Sequence, residues 1–323
     1  ASSNAVSTAN AALTAAMIGA PAADRDTVIN WARGLDSNDE DDDGDMTDIR
    51  HIMGDPLHVR PVNVLYGGTM ASPDATVFVS TNDGYLHAID PDDGSELWAF
   101  VPVEMLGRLY DLYLDEPTAT RTYGLDGEIS VYIANDDGNP GISGAERVIL
   151  LFGMRRGGDT VYALDVTDRS NPQVLWRINS GTTGFSRLGQ TWSPPVTAQV
   201  RVDATIRNVA LFGGGYDDAE DATAYRSADS RGNAVYMVDA LTGELLWRAG
   251  GGTGNNLTLS AMTHAIPAGL RVLDLDLDGL ADRMYVGDMA GQVWRFDIHN
   301  GQPAASLVDG GVFASLGGAA VTA

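Results

Sequence analysis

The chain has 323 residues and a formal net charge of −24, from 44 acidic and 20 basic residues, every basic one an arginine. That length can bury a sizeable core, while the charge excludes a nucleic-acid partner, because phosphates would be repelled and no basic stripe is available. The absence of cysteine removes thiolate metal sites, thiol catalysis and disulfides, and no apolar run is long enough to span a membrane.

Residues 1–34 read as a helical lead-in. The Ala-rich run AVSTANAALTAAMIGA stops at Pro21, and DRDTVINWARG (24–34) goes from an acidic start to an Arg-Gly end, the polarity a helix prefers. The apolar stretch 11–20 has no basic segment before it and does not read as a signal peptide. The chain is expected to begin within a longer protein, with any leader upstream. Residues 35–60 are an acidic linker and entry loop. From Pro61 to residue 323, short apolar runs alternate with Gly, Asn and Asp turns, the pattern of an all-β domain. The 38 glycines and the excess of Asp (36) over Glu (8) fit many tight turns. The end, GGVFASLGGAAVTA (310–323), brings no capping element, so the last unit is expected to be cut short.

An internal repeat organises the β region. LHAID (86–90), VYALD (161–165), VYMVD (235–239) and VWRFD (293–297) align without gaps, each with a glycine two or three places ahead. Three are followed by a turn and a strand ending in Trp98, Trp176 or Trp247; the fourth reaches HNGQP without one. Each unit is a hairpin that cannot bury both faces alone, and radial stacking of such sheets is a β-propeller. The motif aspartates are 75, 74 and 58 residues apart, longer than the ~40–50 residues of ordinary blades. Insertions or unmarked strands are therefore expected between four marked blades. The tryptophans are assigned to blade packing.

The densest chemistry is VLDLDLDGLADRMYVGD (272–288). Asp274, Asp276 and Asp278 hold positions 1, 3 and 5 of an EF-hand-like loop, Gly279 position 6, Leu280 position 7 and Asp282 position 9. Alternate carboxylates converge as the chain curls, Gly279 permits the bend, and the Leu280 carbonyl supplies a backbone oxygen. An all-oxygen set suits Ca²⁺. Position 12 is Tyr285 in place of the bidentate Glu, and the flanks are strand-like, so this is a calcium loop on a β-hairpin (274–282), with affinity on the order of micromolar to sub-millimolar. The alternative is a solvated acidic turn, in which four close carboxylates would repel without a counter-ion. A weaker candidate, Asp39, Asp41, Asp43, Gly44 and Asp45, shares the spacing but has Thr47 at position 9, and a charge run of this kind reads first as a solvated linker.

No catalytic nucleophile with a paired base is evident. His51, His58, His87, His264 and His299 lack metal-ligand spacing, and His87 occupies the packing column of the repeat. The glycine-rich FGGGYDD (212–218) and AGGGTGN (249–255) have no Walker lysine and read as blade loops.

TNDGYLHAIDPDDGSELWAFVP (81–102) and DLDLDGLADRMYVGDMAGQVWRFD (274–297), with GDPLHVRPV (54–62) at the entry, resemble the C-terminal propeller domain of the type IV pilus biogenesis factor PilY1 family. The resemblance extends over about residues 30–305, with Val59 where the family often has Ser. It implies an irregular, modified seven-bladed β-propeller, and calcium at Asp274, Asp276, Asp278, the Leu280 carbonyl and Asp282. It further implies a non-enzymatic, secreted protein at the pilus tip, cell surface, outer membrane or periplasm of a Gram-negative bacterium. Its partners would be type IV pilus components, the minor pilins of the tip among them, and host or abiotic surfaces. There it would support pilus assembly, oppose retraction and affect twitching motility and adhesion, with calcium as the switch. The von Willebrand A-like region of full-length members is not in this sequence, the last blades are expected to be truncated, and no Arg-Gly-Asp triplet supports integrin binding.

Two other readings compete. MVDALTGELLW (237–247) resembles the AxDxxTGxxxW hairpins of quinoprotein dehydrogenases, with Met237 at the Ala position. That activity would need a pyrroloquinoline quinone site on the propeller axis with its own calcium, and the vicinal disulfide of many such alcohol dehydrogenases cannot form here. The third reading is an assembly scaffold with purely structural calcium.

Overall fold

Strict alternation along the central strands decides how the chain packs. In the computed structural model, which describes residues 4–50, 53–118, 121–222 and 227–317, the strands form four sheets. Blade 1 contains β1 (Val62–Thr69), β2 (Ser72–Ser80), β3 (Leu86–Ile89) and β4 (Glu96–Phe100). Blade 2 contains β5 (Ile129–Ala134), β6 (Arg147–Gly153), β7 (Val161–Asp165) and β8 (Gln173–Ile178). Blade 3 contains β9 (Val196–Val202), β10 (Thr205–Gly213), β11 (Ala234–Asp239) and β12 (Leu245–Gly250), extended by β13 (Leu257–Thr258) parallel to β12. Blade 4 contains β14 (Arg271–Leu273), β15 (Arg283–Gly287), β16 (Gln292–Ile298) and β17 (Val308–Ser315). Apart from β13 each sheet is an antiparallel meander in chain order.

Successive residues of β6 show why the blades stack. Val148, Leu150 and Phe152 pack with Phe78, Leu86 and Ala88 of blade 1, whereas Ile149 and Leu151 pack with Ala210, Phe212 and Tyr236 of blade 3. A strand with period 2 thus feeds two cores. Blades 3 and 4 share a third core built from Val209, Leu211, Met237, Trp247, Met284, Trp294 and Phe296. Each fully buried Leu, Ile or Phe stabilises by about 1.5–3 kcal/mol, and no blade could bury both faces by itself.

The repeat motif lies on the third strand of every blade and the recurrent Trp on the fourth. In blades 1–3 the register slips by one residue ahead of the motif aspartate, leaving Leu97, Leu175 and Leu246 without cross-strand partners and setting the Trp opposite Ala88, Ala163 or Met237. The aspartate closes the turn: Asp90 Oδ1 accepts the Asp92 N–H, Asp165 Oδ1 the Thr167 N–H and Asp239 Oδ1 the Leu241 N–H. Such side-chain mimicry of a turn is what Asp does well. Asp165, Asp239 and Asp297 also pair with Arg147, Arg207 and Arg283 on the second strands, at 2.6, 3.4 and 2.6 Å. Burial works to raise the Asp165 carboxyl, but hydrogen bonds from Thr167 and Arg147 outweigh it and hold it below the ordinary value.

The tryptophans tie neighbouring blades, as the packing assignment expects. Trp98 Nε1 donates to the Arg169 carbonyl in the β7–β8 turn at 2.6 Å, and Trp176 Nε1 to the Ala240 carbonyl in the β11–β12 turn at 3.0 Å. Trp247 is fully buried, yet its Nε1 has no partner.

The lead-in differs from expectation. Of the Ala-rich run only Ala15–Ile18 is helical, as a single 3₁₀ segment ended by Gly19 at φ +73°, where a Cβ would lie 2.5 Å from the Gly107 carbonyl oxygen. The cause is Arg25, whose guanidinium takes the carbonyls of Thr8, Asn10 and Leu13 at 3.2, 2.7 and 2.7 Å, the acceptors a helix would use internally. Helix α1 (Arg25–Ala32) forms as read. Helix is not confined to the lead-in, however: α2 (Val103–Leu106) and α3 (Leu109–Leu114) follow β4, and Leu106 and Leu109 pack with Leu13, Ile18, Val28 and Ile29.

If the indole hydrogen bonds fasten the blades, Trp176→Phe should lower the urea unfolding free energy by about 1 kcal/mol more than Trp247→Phe. Equal losses would show that the tie contributes nothing.

Candidate metal centre

The Asp-rich loop joins β14 to β15 and is held from below. Ala281 N–H donates to the Gln199 carbonyl of β9 at 2.8 Å, Asn300 Nδ2 to the Ala281 carbonyl at 3.0 Å, and Ile298 N–H to the Asp282 carbonyl at 2.7 Å. Leu280 and Ala281 are buried. Blade 3 and β16 therefore fix the base of the loop while its acidic rim faces solvent.

Within the rim, carboxylates organise the backbone. Asp274 accepts the Leu277 and Gly279 N–H groups at 2.7 and 2.8 Å, and Asp282 accepts the Leu275 N–H at 2.7 Å. Asp276 Oδ1 takes the Asp278 N–H at 3.2 Å, and Asp278 Oδ1 the Leu280 N–H at 2.8 Å. Leu277 and Gly279 adopt φ of +65° and +88°, the left-handed conformations that curl the chain. Asp274, Asp276 and Asp282 each offer one oxygen, and these lie within 4.8 Å of one another. Asp278 stands outside that group, its Oδ1 being turned to the Leu280 amide. The set is hard oxygen throughout and fits Ca²⁺ better than a softer ion. Among the described residues no ion pair involves Asp274, Asp276, Asp278 or Asp282, so no arginine neutralises them.

Two further acidic groups have similar geometry. Asp39, Asp41 and Asp43 converge, and the Gly44 N–H donates to Asp39 Oδ1 at 2.9 Å as Gly279 does to Asp274. This loop is folded: Leu35 bridges Ile49, Trp31 Nε1 donates to Glu40 at 3.0 Å, and the Arg50 guanidinium lies 4.0 Å from the Trp31 ring centre. It sits beside α1 and α3. The other group, Asp136, Asp137 and Glu146 in the β5–β6 connection, escapes sequence reading. Its signal is the Asp pair followed nine residues later by Glu, but both Glu146 oxygens already accept N–H groups, from Asp137 and Ser143 at 3.0 and 2.7 Å.

No histidine joins a metal-competent group among the described residues. His58 Nδ1 meets the buried Asp126 at 2.8 Å, His87 lies between Thr81 and Glu96, His264 bonds Thr263 and His299 pairs with Asp309. His51 lies outside the described residues.

The model of the PilY1 β-propeller domain matches residues 63–316. The chain belongs to the PilY1 β-propeller family. It is 32% identical over 234 residues to the type IV pilus biogenesis factor PilY1 of Pseudomonas aeruginosa, covering 70% of this chain and 17% of that one. The solved PilY1 C-terminal domain of the same organism superposes with a TM-score of 0.50 at 27% identity, over 74% of this chain and 44% of that one. A shorter likeness, 35% over 109 residues, links 31% of the chain to 17% of methanol dehydrogenase subunit 1 of Methylorubrum extorquens. As in other propellers of antiparallel meanders, the β14–β15 loop of this PilY1-family chain shares one end of the blades with the turns closed by the motif aspartates.

No atom lies within 4 Å of where a Gly279 Cβ would stand, so the strain of Gly279→Ala is conformational only. It should cost about 1 kcal/mol, read by thermal unfolding. A cost several-fold larger would mean that the loop tip packs against something.

Proposed function

We propose that this chain is a calcium-binding propeller segment of a type IV pilus biogenesis factor, acting without catalysis at the pilus tip or cell surface of a Gram-negative bacterium. The observation that carries the reading is the convergence of Asp274, Asp276 and Asp282 on a hairpin anchored to blade 3, in a chain of this family. The residues that would hold the ion are these three, with the Leu280 carbonyl and, after a side-chain rotation, Asp278. A bound Ca²⁺ would supply the missing positive charge and cross-link the rim. The chain's own part is to orient those oxygens: the buried Leu280 and Ala281 hold the base, and Gly279 sets the bend.

In this reading calcium stiffens the β14–β15 hairpin and presents a fixed surface to pilus components, minor pilins included. Occupancy then opposes retraction and alters twitching motility and adhesion to host or abiotic surfaces. The P. aeruginosa relative is named for pilus biogenesis, and this chain spans 17% of its length.

A second reading, a quinoprotein-like enzyme, takes its support from the methanol dehydrogenase likeness. Against it stands the placement of the best cation site on a turn between two strands of one blade, crowded with its own carboxylates; a catalytic metal keeps a position open for substrate. Purified chain supplied with pyrroloquinoline quinone, calcium and primary alcohols should not reduce an electron-accepting dye. Turnover in that assay would favour the enzyme.

Calorimetric titration of the chain with CaCl₂ should give one dominant binding event, weakened at least about tenfold by Asp276→Ala or Asp282→Ala. Binding that survives both substitutions would place the ion elsewhere and sink the assignment. In the full-length protein, Asp282→Ala should impair twitching; unchanged motility with calcium binding lost would leave the ion purely structural.

A further inference from the structure

The turn between β16 and β17 breaks the pattern of its repeat. Three places after the motif aspartate, blades 1–3 carry Asp93, Asp168 and Thr242. Each uses a side-chain oxygen within its own turn, accepting the N–H of Ser95, Ser170 or Glu244 at 2.9, 3.0 and 3.3 Å. Blade 4 has Asn300 there, and its carboxamide reaches out of the turn in two directions. Its Oδ1 accepts the Arg201 N–H of β9 at 2.7 Å, and its Nδ2 donates to the Ala281 carbonyl at 3.0 Å. One partner is a donor and the other an acceptor, so the two ends of the amide cannot be exchanged. An ionised aspartate would fail at the second contact, having no proton to give.

Neighbouring bonds make this side chain the centre of a clamp. Gly301 N–H donates to the Arg201 carbonyl at 2.8 Å, and Asp203 N–H to the Gln302 carbonyl at 3.0 Å, so residues 300–302 lie along the β9–β10 corner of blade 3. Two residues back along β9, the Gln199 carbonyl takes the Ala281 N–H at 2.8 Å, while Asp282 N–H donates to the Leu273 carbonyl at 2.8 Å. A trans peptide is planar, with its N–H and C=O pointing opposite ways. Fixing the Ala281 N–H on Gln199 therefore fixes the direction of the Leu280 carbonyl, which shares that plane. Fixing the Ala281 carbonyl on Asn300, and the Asp282 N–H on Leu273, sets the next plane, from which the Asp282 side chain departs.

We propose that Asn300 is the positioning residue of the β14–β15 cation centre, and that through it the state of that loop is passed to the β9–β10 corner of blade 3, Arg201 to Asp203. This role rests on the calcium reading of the loop. With the Leu280 carbonyl engaged by a cation, the Ala281 N–H holds Gln199 more strongly, because hydrogen bonds in a chain polarise one another. The loop base is then docked more firmly on β9, and Asn300 and Gly301 are held with it. Coupling of this kind is reciprocal, so loosening the clamp must weaken the ion.

The test joins calorimetric titration of the chain with CaCl₂ to amide hydrogen exchange at Arg201, Gly301 and Asp203, with NaCl at equal ionic strength as the control for screening. In the wild-type chain CaCl₂ should raise the protection of these amides at least about threefold over NaCl. Asn300→Ala should weaken calcium binding about fivefold or more, the fold-change of one hydrogen bond, and abolish the calcium response at Gly301 and Asp203. Thr242→Ala, at the same turn position of blade 3, should leave both readouts unchanged, which separates positioning from the loosening of any turn. Should Asn300→Ala fail to fold, the wild-type exchange response decides alone. Unaltered calcium affinity in Asn300→Ala, or wild-type binding with no calcium-specific response at Gly301 and Asp203, would overturn the proposal and leave the calcium reading standing. No calcium binding by the wild-type chain would overturn both.

Discussion

Two-sided burial of the central strands is the constraint from which the rest follows. Because β6 sends Phe152 into one core and Leu151 into the next, blade 2 is complete only between blades 1 and 3. A one-residue slip would exchange those faces and place every side chain in the wrong core. The register is therefore strongly specified, and the turns at the strand ends are positioned as firmly as the strands. The β14–β15 loop inherits that rigidity: its base bonds to Gln199 of the neighbouring blade and to Ile298 of its own, while only the acidic rim is free to respond to solvent.

The blade-to-blade ties refine this picture. Trp98 and Trp176 reach across the interface to a carbonyl in the next blade's turn, the same turn that the motif aspartate closes. Packing and turn geometry thus support one another, the consistency between local and global preference expected of a well-specified fold. Trp247 departs from the pattern: it keeps its place in the core beside Phe296 but has no acceptor.

The parts legible in the sequence are those that repeat or obey a short period. The four motif segments, the fourth-strand tryptophans and the hairpin carrying Asp274 to Asp282 could be placed from spacing alone, because each depends on neighbours within one turn or one strand pair. Helices α2 and α3 could not: Gly107 divides them into pieces too short to show a full helical face. The single turn in the lead-in is equally opaque, since Arg25 disrupts the expected helix through backbone carbonyls that any residue would present. Spacing also cannot say which way a carboxylate turns. Asp278 has the right position in the loop, yet satisfies a nearby amide, and Glu146 joins its group only because β5 and β6 bring the two ends of a long connection together.

Aspartate does three jobs in this chain, and the local supply of arginine separates them. At Asp165, Asp239 and Asp297 a second-strand arginine balances the charge, and the carboxylate is a fixed part of the turn. At Asp229 the carboxyl is buried, and burial, with Glu220 and Asp217 adding to it, pushes it up to about 6. At Asp274, Asp276 and Asp282 no arginine pairs among the described residues, burial is shallow, and the oxygens converge. With 20 arginines against 44 acids, compensation from within the chain cannot reach every cluster. The sites left over are those where an external cation has most to contribute, and among them the β14–β15 hairpin is anchored through Ala281 and Asn300 to blades 3 and 4.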